Sequence, residues 1–454
     1  MQNTTNIKKM NRLIAVVLFV VSVIAFSQTV SAAELPIEPE ILSEAAVLMD
    51  AKTGQILYSK NMDKTMYPAS ITKILTGMLA LKYANLDETV TMSYDAVFSI
   101  DRDSSHIALD VDEEIPMIDA LYALSIESAN DAANGIAETV AGSMDAFAEM
   151  MNQEAKRIGA VNSNFVNAHG LPNENHYTTA YDMALITAEA IQIPMFNEIF
   201  SANRYESAPT NKQPKTRYFN SSNSLLNGVL QYDGILMSKT GWTSISQGTL
   251  VTAAQRGDTT LIAVVMKAAF SDTKYNDTIA LLNYGFDSFR QIELEDSYLK
   301  DRIAASGLDV SGFEVQESEP IQVLLPINAE LADVVVSTEK DRVNGSEMKI
   351  ELPICLQLKV NDSQSLELLD STLNLEKSKI TPEQASQTDS PEQSAKAETA
   401  NIGSENRRNR LAVCIVVVVG IIVFSFAGIK IYVILERNKQ RRRRKRGPRR
   451  RSGR

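Results

Sequence analysis

The chain has 454 residues, 44% hydrophobic and 22% charged, with a formal net charge of −11. That length is ample for one large core plus a small second domain. Its two cysteines, Cys355 and Cys414, exclude a disulfide framework, because Cys414 lies inside a long apolar C-terminal run. The first element is a leader. Residues 1–12 hold Lys8, Lys9 and Arg12 and no acid, Leu13 to Phe26 is apolar, and Val30-Ser31-Ala32 supplies small residues. This pattern predicts a secretory signal peptide over 1–32, cut after Ala32 or Ala33, with an uncleaved N-terminal anchor as the alternative.

Ala45–Met49 and Gln55–Tyr58 read as strands, with Lys52-Thr53-Gly54 as the turn between them. Pro68-Ala69 then introduces Ser70, which opens a helical pattern of Ile71, Ile74, Leu75, Met78, Leu79 and Leu81. At a helix start the backbone N–H groups are unpaired and the dipole favours negative charge, so an alkoxide or oxyanion is stabilised there. Lys73 lies one turn on, within reach of Ser70. To act as a base it must lose its proton, and burial together with a cation such as Lys239 would lower its pKa in that direction. Read alone, Ser70 could be an N-cap.

Between the helical stretches Pro116–Ile126 and Asp131–Val140, Ser128-Ala129-Asn130 forms a short connection whose side chains can face a cleft, although Asn130 alone could be an N-cap. Further on, Gly234–Met237 leads into Lys239-Thr240-Gly241. Thr249–Thr252 and Leu261–Met266 follow as two strands joined by Arg256-Gly257-Asp258. Lys239 offers a cation for an anionic substrate, and the glycine permits close backbone approach. Each motif has copies elsewhere. Ser-x-x-Lys recurs at Ser271/Lys274, Ser297/Lys300, Ser337/Lys340 and Ser346/Lys349, Lys-Thr-Gly at Lys52, and Ser-x-Asn at Ser201. Only the copies at 70, 128 and 239 stand in the right local setting, and together they form a set associated with penicillin-binding proteins and class A β-lactamases.

The flanking residues narrow this. Asp50-Ala51-Lys52-Thr53-Gly54, Tyr67-Pro68-Ala69-Ser70, Ser128 to Ala133, Asn167-Ala168-His169-Gly170-Leu171-Pro172, Thr179 to Ala184 and Lys239-Thr240-Gly241-Trp242-Thr243 closely resemble the D-alanyl-D-alanine carboxypeptidases. The resemblance covers roughly residues 40–290. It implies an α/β (α+β) transpeptidase-like fold, with an antiparallel sheet, a helical cluster and a cleft between them. It further implies that Ser70 is the acylated nucleophile, Lys73 its base and Ser128 a proton relay. Asn130 would bond the substrate amide, and Lys239 and Thr240 would bind the terminal carboxylate. Gly241 would line the strand edge, and the N–H groups of Ser70 and Trp242 would form the oxyanion hole. The implied partners are peptidoglycan stem peptides ending in D-Ala-D-Ala and acylating β-lactams, with no cofactor. Two departures, Met237-Ser238 before Lys239 and Ser246-Gln247 after Thr243, bear on hairpin shape and peptide preference. A β-lactamase and an inactive wall-binding scaffold are the competing functions.

The three histidines, His106, His169 and His176, show no metal spacing. A Ser-His-Asp triad would need one of them, but Lys73 already offers a local base, and His169 is expected to shape the loop under the cleft. Residues 33–290 are thus expected to be the catalytic domain. Residues 291–358 alternate apolar and polar in short runs and read as a small β-rich domain, with Cys355 a small buried hydrophobe. Residues 359–410, rich in Ser, Gln, Glu and Lys, read as a disordered linker. Residues 411–435 are apolar over a bilayer-spanning length, with Lys430 near one end. The basic tail 436–454 predicts a cytoplasmic end and an extracytoplasmic body at a bacterial membrane. Such a tail favours anionic lipid over nucleic acid. With about +18 carried by the leader, the membrane flank and the tail, the body at 33–406 holds about −29 and has no need of nucleic acid.

Overall fold

The computed structural model describes residues 35–308, 310–316, 320–338, 344–345, 349–361 and 364–377. The expected signal peptide (1–32), membrane helix (411–435) and basic tail (436–454) lie outside them. Among the described residues no helix is long and apolar enough to cross a membrane.

Strand β1 (Ala45–Asp50) is buried along its whole length. Its alternating side chains serve two cores: Val47 and Met49 face a helical layer, while Ala46 and Leu48 face the other side. A strand covered on both faces reads as an unbroken apolar run, as this one does. Strand β2 (Ile56–Lys60) returns antiparallel to it. The turn is held by Asp50, whose Oδ1 accepts from the N–H and hydroxyl of Thr53 at 2.8 and 2.7 Å. Helix α1 (Lys73–Tyr83) follows a tight turn at Ala69–Thr72. Ile74, Leu75, Met78 and Leu79 are all fully buried, each contributing about 2 kcal/mol of apolar transfer. Helix α2 (Asn130–Ala141) packs beside it through Ala132, Ala133, Ile136 and Ala137. Helix α3 (Ala180–Ala190) starts at Thr179, whose Oγ1 accepts the Asp182 N–H at 3.0 Å.

Strands β3 (Ile235–Thr243), β4 (Gln247–Arg256) and β5 (Thr259–Ala268) complete the main sheet, which runs β2-β1-β5-β4-β3 with every neighbour antiparallel. Helix α4 (Ser271–Ser288) covers its second face through Tyr275, Leu281, Leu282 and Tyr284. Helix α1, entered through the turn that carries Ser70, and helix α2, which begins at Asn130, lie on the opposite face, with β3 at the sheet edge, which creates the cleft.

The β-rich module begins with β6 (Phe289–Leu294), paired with β7 (Ile321–Pro326). Its larger sheet contains β8 (Val334–Thr338), β9 (Lys349–Asn361) and β10 (Gln364–Lys377). The expected linker (359–410) is therefore corrected over 359–361, which end β9, and over 364–377, which form β10: Leu368, Leu373 and Leu375 are buried in the module core, although the polar residues between them give the stretch a linker-like composition. The rest of that linker, beyond 377, lies outside the described residues. Cys355 is half-buried rather than buried, because it alternates with the inward-facing Ile354 and Leu356 of β9. Gln55 ties the module to the main sheet. Its amide donates to the Leu324 carbonyl at 2.8 Å and accepts the Leu324 N–H at 2.7 Å.

Candidate active site

The three motifs converge on one cleft. Ser70 lies in the tight turn before α1 rather than in the helix proper, and its side chain is partly exposed. Lys73 is completely buried. Its Nζ lies 3.0 Å from Ser70 Oγ and donates to Asn130 Oδ1 at 2.6 Å and the His169 carbonyl at 2.7 Å. These are neutral oxygens. Burial first, then the Lys239 charge, hold the Lys73 pKa well below the usual lysine range, while Asp131 opposes them. Burial and the Lys239 charge both act in the direction of the neutral amine, the state a base requires.

Ser128 follows an irregular helical turn at Ala123–Glu127 and has φ +58°. This left-handed backbone turns its hydroxyl toward β3, where Lys239 Nζ donates to Ser128 Oγ at 3.0 Å. Asn130 is the first residue of α2 but makes no capping bond; its carboxamide faces Lys73 instead. Asp131 anchors the loop beside it, accepting the N–H groups of Ile107 and Leu109 at 3.2 and 3.1 Å.

Lys239 is 3% exposed and also donates to the Thr240 carbonyl at 3.0 Å. Burial, with the Lys274 charge behind it, pushes its pKa down to about 7. Gly241 brings β3 against the nucleophile turn: a Cβ there would lie 2.8 Å from the Ser70 backbone nitrogen. Trp242 is 69% exposed at the cleft edge. The departures around this strand have definite places. Met237 is in the helical core, and Ser238 Oγ is bonded to Asn223 Nδ2 at 2.8 Å and to Thr252 Oγ1 at 2.9 Å. Ser246 closes the following turn on Thr243.

The histidines fall away from a triad role. His106 is exposed, while His169 contributes its carbonyl to Lys73 and uses ring Nδ1 to accept the Leu171 N–H at 3.1 Å. Burial holds the His169 pKa well below its usual value. Among the described residues, the grouping with metal-ligand proximity is Cys355, Glu367 and Asp370, in the β-rich module rather than in the cleft.

One residue of this site was set aside in the sequence as part of a motif copy. Lys274 on α4 is 8% exposed. Its Cδ lies 3.5 Å from where a Cβ on Gly248 would stand, and Gly248 is the cross-strand partner of Trp242. Directly paired residues share a face, so Lys274 lies on the Thr240 and Trp242 face of the sheet, adding positive charge near Lys239. The signal for it was a lysine early in the helix that follows the last strand of the sheet.

Comparison with known proteins supplies the frame for this geometry. The D-alanyl-D-alanine carboxypeptidase family, peptidase S11, matches residues 29–270. D-alanyl-D-alanine carboxypeptidase DacF of Bacillus subtilis is 30% identical over 300 residues, covering 64% of this chain and 75% of the relative. D-alanyl-D-alanine carboxypeptidase DacC of Escherichia coli is 34% identical over 277 residues, covering 59% and 67%. Among solved structures, penicillin binding protein 6B from Escherichia coli superposes with a TM-score of 0.56 at 25% identity, covering 74% of this chain and 97% of that one.

Proposed function

Because the chain belongs to the D-alanyl-D-alanine carboxypeptidase family of serine peptidases, we propose that it removes the terminal D-alanine from peptidoglycan stem peptides through an acyl-enzyme on Ser70. The observation that carries this reading is the buried Lys73 amine, 3.0 Å from Ser70 Oγ and surrounded by neutral oxygens. Lys73 takes the Ser70 proton as the hydroxyl attacks the carbonyl of the penultimate D-alanine. The oxyanion forms between the N–H groups of Ser70 and Trp242, where the close approach of Gly241 keeps both donors together. Thr240 and, on its face of β3, Lys274 hold the terminal carboxylate together with Lys239, the preceding residue of the strand. Ser128, bonded to Lys239, passes a proton to the departing D-alanine amine. Asn130 orients the substrate amide and the Lys73 amine together. Water then attacks the ester, and Ser70 is regenerated.

The leader (Lys8, Lys9, Arg12 and the apolar run after them) supports export. The apolar stretch 411–435 with its basic flank supports anchoring by one C-terminal helix, with the catalytic domain outside and the tail inside. A β-lactam presents a strained amide and a carboxylate to the same groups and acylates Ser70. The test uses the full-length chain in membranes with a pentapeptide ending in D-Ala-D-Ala. Free D-alanine is expected from the wild type and none from Ser70→Ala. No release by the wild type, or release by the variant, refutes the reading. Rapid turnover of labelled penicillin, in place of a long-lived adduct, would instead mark a β-lactamase.

A further inference from the structure

Beneath the nucleophile lies a buried histidine that the reaction described above does not use. His176 is 1% exposed and packs edge-on against Phe165, with ring centroids 5.6 Å apart. Its Nδ1 accepts the Val166 N–H at 3.1 Å, so the neutral ring carries its proton on Nε2. That nitrogen stands 3.0 Å from Thr72 Oγ1, which fixes the direction of the bond: Nε2–H donates and the Thr72 oxygen accepts. The Thr72 hydroxyl donates onward to the Ala69 carbonyl at 2.9 Å. Burial and the Lys73 charge push the His176 pKa down to about 4, so the ring is neutral and this one-way chain is intact near neutral pH.

The last acceptor gives the chain its meaning. Ala69 has φ +53°, left-handed and unfavourable for a residue with a Cβ, at a cost of about 1–3 kcal/mol. One neighbour besides Thr72 confines its carbonyl, and another holds the peptide before it. Gly170, at φ +88°, approaches so closely that a Cβ there would come within 1.9 Å of the Ala69 oxygen. On the sheet side, the Thr249 hydroxyl holds the preceding Pro68 carbonyl at 3.0 Å. A trans peptide is planar with its C=O and N–H antiparallel, so fixing the Ala69 oxygen also fixes the direction of the Ser70 N–H.

We propose that His176, acting through Thr72 and the Ala69 carbonyl, is a positioning residue for the oxyanion hole, holding the Ala69–Ser70 peptide plane so that the Ser70 N–H faces the developing charge. This rests on the carboxypeptidase reading of the cleft and goes beyond it. Removing one oxyanion donor from a serine peptidase costs about 10²–10³ in kcat. Here the donor is misaimed rather than lost, so the expected loss is about 10- to 100-fold.

The test uses the full-length chain. Thr72→Val keeps the shape but breaks both links, and Thr72→Ser keeps the hydroxyl. D-alanine release gives kcat and KM, and a peptidyl boronic acid, whose tetrahedral adduct places an oxygen in the oxyanion hole, gives a transition-state affinity. In Thr72→Val, kcat is expected to fall about 10- to 100-fold with KM nearly unchanged. Boronate affinity should fall in step, and the limbs of the pH profile should keep their positions. Thr72→Ser should recover most of the loss, and His176→Phe should match Thr72→Val. The proposal is overturned if Thr72→Val keeps wild-type boronate affinity, or if its loss appears in KM alone or only as a lower melting temperature. A wild-type chain that binds the boronate yet releases no D-alanine would defeat the carboxypeptidase reading alone, because the wild-type to Thr72→Val boronate ratio still decides this proposal.

Discussion

Replacing Gly241 by alanine tests the closest approach in the cleft. The added methyl would lie 2.4 Å from Thr249 Oγ1, 2.8 Å from the Ser70 backbone nitrogen and 3.1 Å from Ala69 Cβ. Relaxed contacts of this kind begin at about 3.5 Å, so either β3 or the nucleophile turn must retreat by roughly 0.5–1 Å. Neither can do so freely. Ser70 N is backbone, and Thr249 Oγ1 is buried and bonded to the Pro68 carbonyl at 3.0 Å. Overpacking of this size costs about 1–3 kcal/mol of stability. The larger effect is on rate, because the proposed oxyanion hole needs the Ser70 and Trp242 N–H groups to converge on one oxygen, and a misplacement near 1 Å costs on the order of 10²-fold. In D-alanine release, Gly241→Ala is therefore expected to lose about 10²-fold in kcat/KM while its circular dichroism stays native. A variant within threefold of wild type, with the methyl seated in the unchanged gap, would refute the assignment of this gap to the oxyanion hole.

Two further outcomes follow from charge and packing. The proposed carboxylate contact needs Lys239 protonated, and its pKa of about 7 means that this form is present at lower pH and lost above it. The peptide KM of the wild type should therefore rise between about pH 7 and 9, whereas Lys239→Arg should show a flat KM across the same interval; parallel rises in both would refute the assignment. Gln55→Ala would leave the buried N–H and C=O of Leu324 without their amide partner. Its expected cost is about 2–4 kcal/mol, read from urea unfolding, and an unchanged midpoint would refute the role of this amide.

The parts of this protein legible in the sequence are those decided locally. The β1–β2 hairpin, the helix after Ser70 and the strand carrying Lys239 each follow from periodicity and turn residues, and three motifs at such elements define a cleft. What escaped depends on tertiary placement or on a rare backbone state. Lys274 matches a motif copy that leads nowhere by itself, and it gains importance only because α4 folds across β4. Ala69 looks like an ordinary helix-entry residue, since nothing in an alanine announces φ +53°. His176 is one lone histidine among three, made useful by a threonine 104 positions away. The module beyond residue 358 was hidden differently: the polar and charged residues of β10, from Gln364 and Ser365 to Glu376 and Lys377, outnumber its leucines.

Among the described residues strand β3 ends the hydrogen-bonded order of the main sheet, which leaves its outer edge without a partner strand there. An open rim of this kind invites pairing with any extended chain, including another copy of the same protein. Here the invitation is brief. A register shift between Ile235 and Met237 bends the rim just before Lys239, which leaves a straight run of about six residues, Ser238–Thr243. A short peptide end can complete that run, but a full-length strand from another molecule would have to cross the bend and cover a buried ammonium. The geometry that admits a peptide terminus therefore also guards the enzyme against sheet-to-sheet association.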